Sequence, residues 1–260
     1  MKIILMIILS IIFIPNNIYT EKKIINQSNE IIIFAAASTA IALKEIAKHL
    51  SGNFNILFNF ASSSILARQV INGAKCDLVL LSDVKWMNFL CKSSKIINNS
   101  RIDLLSNRLV LVSSKYQKFF LKNLLYKVEK SFFNKFVIAD PNVVPLGGYT
   151  KEVLHICRWN ILLTRLLKAC NIRSTLLYIE NAEATSGIVY YTDAKASNYI
   201  RIIANIPTSM HQFIYYPFAR CGNLISLLKI NYIEKFLIAF YEVSCDVFSQ
   251  YGFIYLNKNL

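Results

Sequence analysis

Two short stretches place hydroxyl side chains where the chain turns from strand to helix. "FAAAS" (34–38) follows an unbroken "III" and precedes "TAIALKEIAKHL"; "FASSS" (60–64) follows an apolar run and precedes "ILARQVI". Ser38 and Ser62–Ser64 therefore stand at the carboxyl ends of strands, where ligands gather in a parallel sheet. The first backbone N–H groups of a helix lack internal partners and lie at the positive end of its dipole. Hydroxyl donors added to such ends make an anion site without any formal cation. The plainer alternative is that these serines are helix N-caps, each worth about 1 kcal/mol. A secreted serine hydrolase acting through Ser38 or Ser63 is disfavoured. There is no G-x-S-x-G, and none of His49, His155 or His211 stands in a recognisable relation to either serine. The same histidines have no ligand-spaced partners, so no cation site is expected. Asp83, Asp140 and Asp193, near strand ends, read as cap and turn residues. Tyr190, taken alone, reads as a core aromatic with a satisfied hydroxyl.

The elements that must carry these residues alternate. "EIIIFAAA", "NILFNFA", "CDLVLLS", "RLVLVS", "FVIAD", "GIVYY", "IRIIANI" and "FIYYPFA" read as strands. "TAIALKEIAKHL" carries Ile41 or Leu43, Ile46, Ala47 and Leu50 at helical spacing, and "SILARQVI", "VKWMNFLCK" and "TKEVLHICRW" are further helices. A longer helix is expected over "NYIEKFLIAFYEVSCDVFSQYGF". Apolar strands interleaved with helices predict an α/β fold with mostly parallel, buried sheets. The stretch 113–135 interrupts the rhythm before a second β-α series, and 260 residues suffice for two lobes.

Lys2, the apolar "IILMIILSIIFI" and the polar "PNNIYT" predict a secretory leader over about residues 1–20. The formal charge is +14, but the lysines are scattered and Ile, Asn, Lys, Tyr and Phe are all abundant. We read this as compositional skew and expect no nucleic-acid partner. The six cysteines form no C-x-x-C, and several lie in apolar runs, which reads as buried thiols.

"IIIFAAASTAIALKEIA", "FNFASSSILARQVINGAKCDLVLLSDVKWM", "LLSNRLVLV", "ADPNVVPLGGYTKEVL", "GIVYYTDA" and the late "YGF" together resemble the periplasmic molybdate-binding proteins of ABC transporters, in that family's order from about 31 to 253. The resemblance implies a type II substrate-binding fold: two α/β lobes joined by crossing segments at 107–113 and 213–219. Lobe one would hold 31–106 with 220–260, and lobe two the 107–219 stretch with a crossing at each end. It implies a ligand shell of the Ser38, Ser63 and Tyr190 hydroxyls with backbone N–H groups of Leu146 and Ile172. Leu146 is bulkier than is usual after "VP", and "GGY" (147–149) replaces a single glycine and a larger residue. The implied protein is no enzyme and holds no cofactor. It is a periplasmic monomer that binds molybdate or tungstate as the oxyanion, with no direct cation ligands, and delivers it to a membrane permease. The same scaffold binding another tetrahedral oxyanion is the close alternative. With no histidine in that shell, affinity is expected to be nearly flat between about pH 6 and 8.

Overall fold

The computed structural model describes residues 30–116, 135–159, 166–222 and 227–256; the expected leader lies outside them. Strand β1 (Glu30–Ala36) is largely buried, as its run of β-branched residues requires. A 3-10 turn, Ala37–Thr39, leads into α1 (Ala40–Leu50). Of the alternatives at helical spacing, Leu43 is buried with Ala42, Ile46 and Leu50, whereas Ile41 faces solvent. This seam packs on the long helix α7 (Leu227–Gln250), which returns from the far end of the chain. The β-α unit repeats as β2 (Asn55–Ala61), α2 (Ser63–Ile71), β3 (Leu78–Leu80) and α3 (Val84–Lys92). Strand β4 (Ile102–Ser106) completes this part of the chain.

A second series follows: β5 (Leu109–Ser114), β6 (Phe136–Ala139), α4 (Pro145–Ile156), β7 (Leu166–Ala169), α5 (Ile172–Glu180), β8 (Ser186–Tyr190), α6 (Tyr191–Ala196) and β9 (Ile200–Asn205). The chain then returns as β10 (Tyr215–Arg220), α7 and β11 (Ile254–Tyr255). One sheet has six strands in the order β11-β4-β10-β3-β1-β2; the other has five in the order β7-β6-β8-β5-β9.

The result is a two-lobed α/β fold with mixed sheets. Parallel pairing holds within β2-β1-β3 and β7-β6-β8, where helices make the crossovers. Strands that enter beside a crossing (β4, β5, β9 and β10) pair antiparallel, because they arrive from the opposite end of their sheet. The chain passes between sheets at Asn107–Arg108 and again over residues 206–214. Most of the segment 213–219, expected as a crossing, instead forms β10 in the six-stranded sheet. There its apolar residues meet β3 and β4. Pro217 has no N–H for the ladder, and the register with β4 shifts between Tyr216 and Pro217.

The lobes also touch beyond the crossings. Lys195 Nζ on α6 donates to the Gln250 carbonyl at the end of α7 (2.6 Å). The "YGF" turn stops α7, with Phe253 N–H bonded to the Phe248 carbonyl and Gly252 at φ +91°. A Cβ on Gly252 would stand 2.8 Å from the Tyr191 ring, so glycine is required twice over.

Candidate functional site

The six-stranded sheet presents three strand-to-helix corners side by side. Ala36 pairs with Ala61 and Ala35 with Leu80, so the residues after β1, β2 and β3 emerge at one edge. At the first corner Thr39 Oγ1 bonds back to the Ala36 carbonyl (2.7 Å), and half-buried Ser38 donates to Tyr216 Oη over a long 3.4 Å. At the second, Ser63 is 1% exposed; its Oγ accepts from Ser82 N–H (3.0 Å) and shares a hydrogen bond with Ser82 Oγ (3.1 Å). The third corner supplies that Ser82 and Asp83.

These hydroxyls do not act as caps. Ser62, the residue before α2, turns its Oγ to Ser64 Oγ (3.1 Å) and makes no cap bond; Thr39, before α1, makes none either. Elsewhere the chain does use side-chain caps. Asp83 accepts from Lys85 N–H (2.7 Å) at α3, and Asn171 from Ser174 N–H (2.8 Å) at α5. Asp140 accepts from Asn142 N–H (2.9 Å) in a turn. Asp83 and Asp140 thus do what their positions predicted, whereas the serine corners make no side-chain cap bond.

From the other lobe comes Tyr190, the last residue of β8. It is fully buried, and its hydroxyl has no hydrogen-bond partner among the described residues. This differs from the satisfied core aromatic that the residue alone suggested. Burial, then the neighbouring Tyr216 and Tyr149 and the carboxyls of Asp193 and Asp83, push its phenol well above the ordinary range. Burial likewise raises Tyr216, against hydrogen bonds from Ser38 and Asn107, and raises Tyr149 to about 12. All three phenols therefore keep their protons at neutral pH and remain hydrogen-bond donors without charge.

Asn107, buried at the first crossing, joins the halves. Its Nδ2 donates to Thr192 Oγ1 on α6 (3.0 Å) and to Tyr216 Oη on β10 (3.2 Å), while its Oδ1 accepts from Arg108 N–H (2.8 Å). Ser38, Tyr216, Asn107 and Thr192 thus form one chain of side chains across the lobes. Asp83 in lobe one and Tyr149 in lobe two lie close enough for the carboxyl to raise the phenol.

Leu146 is the second residue of α4, after Pro145 at the first turn, and its side chain is wholly buried in the core. The bulk that set it apart in the sequence is accommodated away from solvent, and Val144, which precedes α4, supplies no side-chain cap. Ile172 opens α5, where the Asn171 cap accepts from Ser174 N–H and not from Ile172. The starts of these helices follow Ala139 and Ala169, which pair in register. Among the described residues no hydrogen bond joins the backbone of Leu146 or Ile172 to the hydroxyl cluster. Of the two adjacent glycines only Gly147 is sterically required: a Cβ there would strike the Ala139 carbonyl and lie 2.5 Å from Pro141 N, whereas Gly148 has open space.

The sequence reading passed over Ser82, Asn107, Thr192 and Tyr216. Ser82 had a signal, since "LVLLSD" is a third corner of the same kind as the two singled out. Asn107 and Tyr216 had a weaker one, their places beside the expected crossings. Asp193, grouped in the sequence with cap and turn residues, lies in the first turn of α6. Its Oδ2 is enclosed and unpartnered among the described residues, and burial, opposed by Arg173, raises its carboxyl from 3.8 to about 7. Arg68 lies over the Trp86 ring (5.9 Å) on the surface of α2, apart from the cluster. Among the described residues no group of three or more His, Cys, Asp or Glu could hold a metal ion. Two open concavities, one lined by Tyr116, Glu180, Asn181 and Tyr199 and the other by residues 51–56 with Ala47 and Tyr232, include none of the site residues.

Two lobes that meet over enclosed, uncharged donors define a solute-binding protein. The chain belongs to the bacterial extracellular solute-binding protein family, which it matches over residues 31–223. It is 33% identical over 239 residues to the molybdate-binding protein ModA of Escherichia coli, covering 87% of this chain and 90% of that protein. The ModA of Haemophilus influenzae is 32% identical over 199 residues, 73% and 77% of the two chains. The periplasmic molybdate-binding protein of Azotobacter vinelandii superposes with a TM-score of 0.71 at 16% identity, covering 87% of this chain and 99% of that one. This last likeness establishes the type II periplasmic binding protein fold.

Proposed function

We propose that this protein captures molybdate between its lobes, outside the cytoplasm, and delivers it to the membrane permease of an ABC transporter. The observation that carries the reading is the Tyr190 hydroxyl: a fully buried donor with no partner among the described residues, beside the Ser38–Tyr216 pair. A buried polar group left unpaired costs about 1–3 kcal/mol, so it is kept where something else accepts its bond. A tetrahedral oxyanion is such an acceptor. The relationship to the Escherichia coli protein selects molybdate among the oxyanions. The binding shell comprises the hydroxyls of Ser38, Ser63 and Tyr190 with the N–H groups of Leu146 and Ile172. The first three come from buried or half-buried corners, and the last two from the starts of α4 and α5. The lobes divide at Asn107–Arg108 and within 206–214, and the ligand holds them closed because donors from both meet on it.

Tungstate, a dianion of nearly the same size, binds equally well. Phosphate is rejected because it keeps a proton that the backbone N–H groups cannot accept and that a hydroxyl accepts only by giving up its own donation to the anion, and sulfate because a shell sized for a larger ion leaves its bonds long. Calorimetric titration of the purified protein with molybdate, tungstate, sulfate and phosphate tests this. Saturable, tight binding of the first two alone is the expected result. Tight phosphate or sulfate binding with none of molybdate would replace the reading with another oxyanion on the same scaffold.

A further inference from the structure

Cys76 and Cys221 are 145 positions apart in the chain, yet their sulfur atoms lie 3.0 Å from each other. Cys76 precedes β3 and Cys221 follows β10, and both are almost wholly buried in one apolar cluster. The backbone brings them together by design of the sheet. β10 runs antiparallel to β3 with Arg220 opposite Leu78, and Cys221 N–H donates to the Asp77 carbonyl (2.9 Å). Both residues lie just beyond the ends of the paired strands, where the alternation of faces is not enforced, and their sulfur separation exceeds a disulfide bond of roughly 2.05 Å by only about 1 Å. Among the described residues the other four have no such partner: Cys157 bonds to Met210 Sδ, exposed Cys91 lies at the end of α3, exposed Cys170 lies between β7 and α5, and half-buried Cys245 lies within α7.

We propose that Cys76 and Cys221 form a disulfide in the exported protein, closing lobe one between the strand that leads to Ser82 and the strand that carries Tyr216. The location rests on the extracytoplasmic reading above, because disulfides persist in oxidising compartments. The chemistry is thiol–disulfide exchange with a small or protein disulfide. One cysteine thiolate attacks the donor disulfide and expels a thiolate. The second cysteine, deprotonated, then attacks the resulting mixed disulfide and expels the other half of the donor. Two S–H protons are lost, the protein pair is oxidised by two electrons, and the donor is reduced to two thiols. Exchange must precede final packing, since burial raises the folded Cys76 thiol well above its ordinary range and shuts off the thiolate. The bridge would lie beside Asp77, whose Oδ2 accepts from Ile32 N–H (2.8 Å) and pairs with Lys229 Nζ (2.9 Å), so β1, β3, β10 and α7 are pinned at one end of the sheet.

The full chain, reduced and unfolded, is refolded with glutathione disulfide and glutathione, then alkylated under denaturing conditions. Four of its six cysteines should be alkylated, and a peptide pair joining Cys76 to Cys221 should gain about 2 Da on reduction. The oxidised protein should melt roughly 5–15 °C above its reduced form. The Cys76→Ala/Cys221→Ala variant should melt alike with and without reductant. Six alkylated thiols, or a bridge that uses any other cysteine, overturns the proposal. Protein recovered from the cell without the bridge, when refolding makes it, would count against export and leave the pairing standing.

Discussion

The two halves of the site treat their polar groups in opposite ways. In lobe one the hydroxyls are already occupied: Ser63 holds both the N–H and the Oγ of Ser82, and Ser38 reaches Tyr216. In lobe two the Tyr190 hydroxyl is buried with no hydrogen-bond partner among the described residues. The hydroxyls of one half therefore have partners within the protein, whereas the other half carries a buried donor whose partner, on the proposed function, is the ligand. Removing a hydroxyl should cost affinity in both halves, but its effect on the ligand-free fold should differ in sign.

Ser63→Ala has the largest expected effect. It removes a donor to a charged acceptor, about 1.5–3 kcal/mol or roughly ten- to a hundredfold in affinity, and strands the buried Ser82 N–H, costing about 1–3 kcal/mol of stability. Titration and melting should both report the loss. Full affinity with a lowered melting temperature would leave Ser63 a structural residue of lobe one. Tyr190→Phe should weaken binding by a similar factor yet leave the ligand-free protein as stable as before, or raise its melting temperature by a few degrees. A clear drop in stability would mean that the hydroxyl is satisfied in the free protein, and the contrast between the halves would fail. Ser38→Ala should lower affinity while changing stability by less than about 0.5 kcal/mol, because its 3.4 Å bond to Tyr216 is weak.

The smallest effect concerns pH. Asp193 lies close enough to Tyr190 and Tyr216 to bias both phenols, and its carboxyl is raised from 3.8 to about 7. A raised carboxyl favours the folded state while protonated. That stability is complete below about pH 4 and is lost as pH rises through about 7. Ionised Asp193 also repels a bound dianion, so affinity should decline modestly from pH 6 to 8. This replaces the flat profile expected from the absence of histidine alone. Asp193→Asn should flatten both the melting and the binding profiles. A decline of equal slope in the variant would place the titrating group elsewhere.

Much of this site was legible because its parts are local. A run such as "IIIFAAAS" states both that a buried strand ends and that a hydroxyl follows it, and a motif set in fixed order carries the two-lobed plan with it. The starts of α4 and α5, at Leu146 and Ile172, came only with the resemblance: the helical spacing read in the sequence began at Thr150 and singled out no helix over 172–180. The passed-over residues act through partners that are distant in sequence. Tyr216 matters because Asn107 and Ser38, 109 and 178 positions away, converge on its hydroxyl. Cys76 and Cys221 read as separate buried thiols because nothing in their spacing shows that β10 comes back beside β3.

By itself, then, the sequence determined the strand-helix alternation and the serine corners, and its ordered motifs carried the resemblance to molybdate-binding proteins. The first two depend on side-chain type, hydrophobic period and the geometry of a single turn. Only the tertiary structure decided that Ser63 is bonded to Ser82 rather than serving as a cap, and that the Tyr190 hydroxyl is buried without a partner among the described residues. It alone enclosed Asp193 far enough to titrate near neutrality. Each of those properties is a balance of solvation and partners, and a side chain's partners are fixed only when distant strands are brought into register.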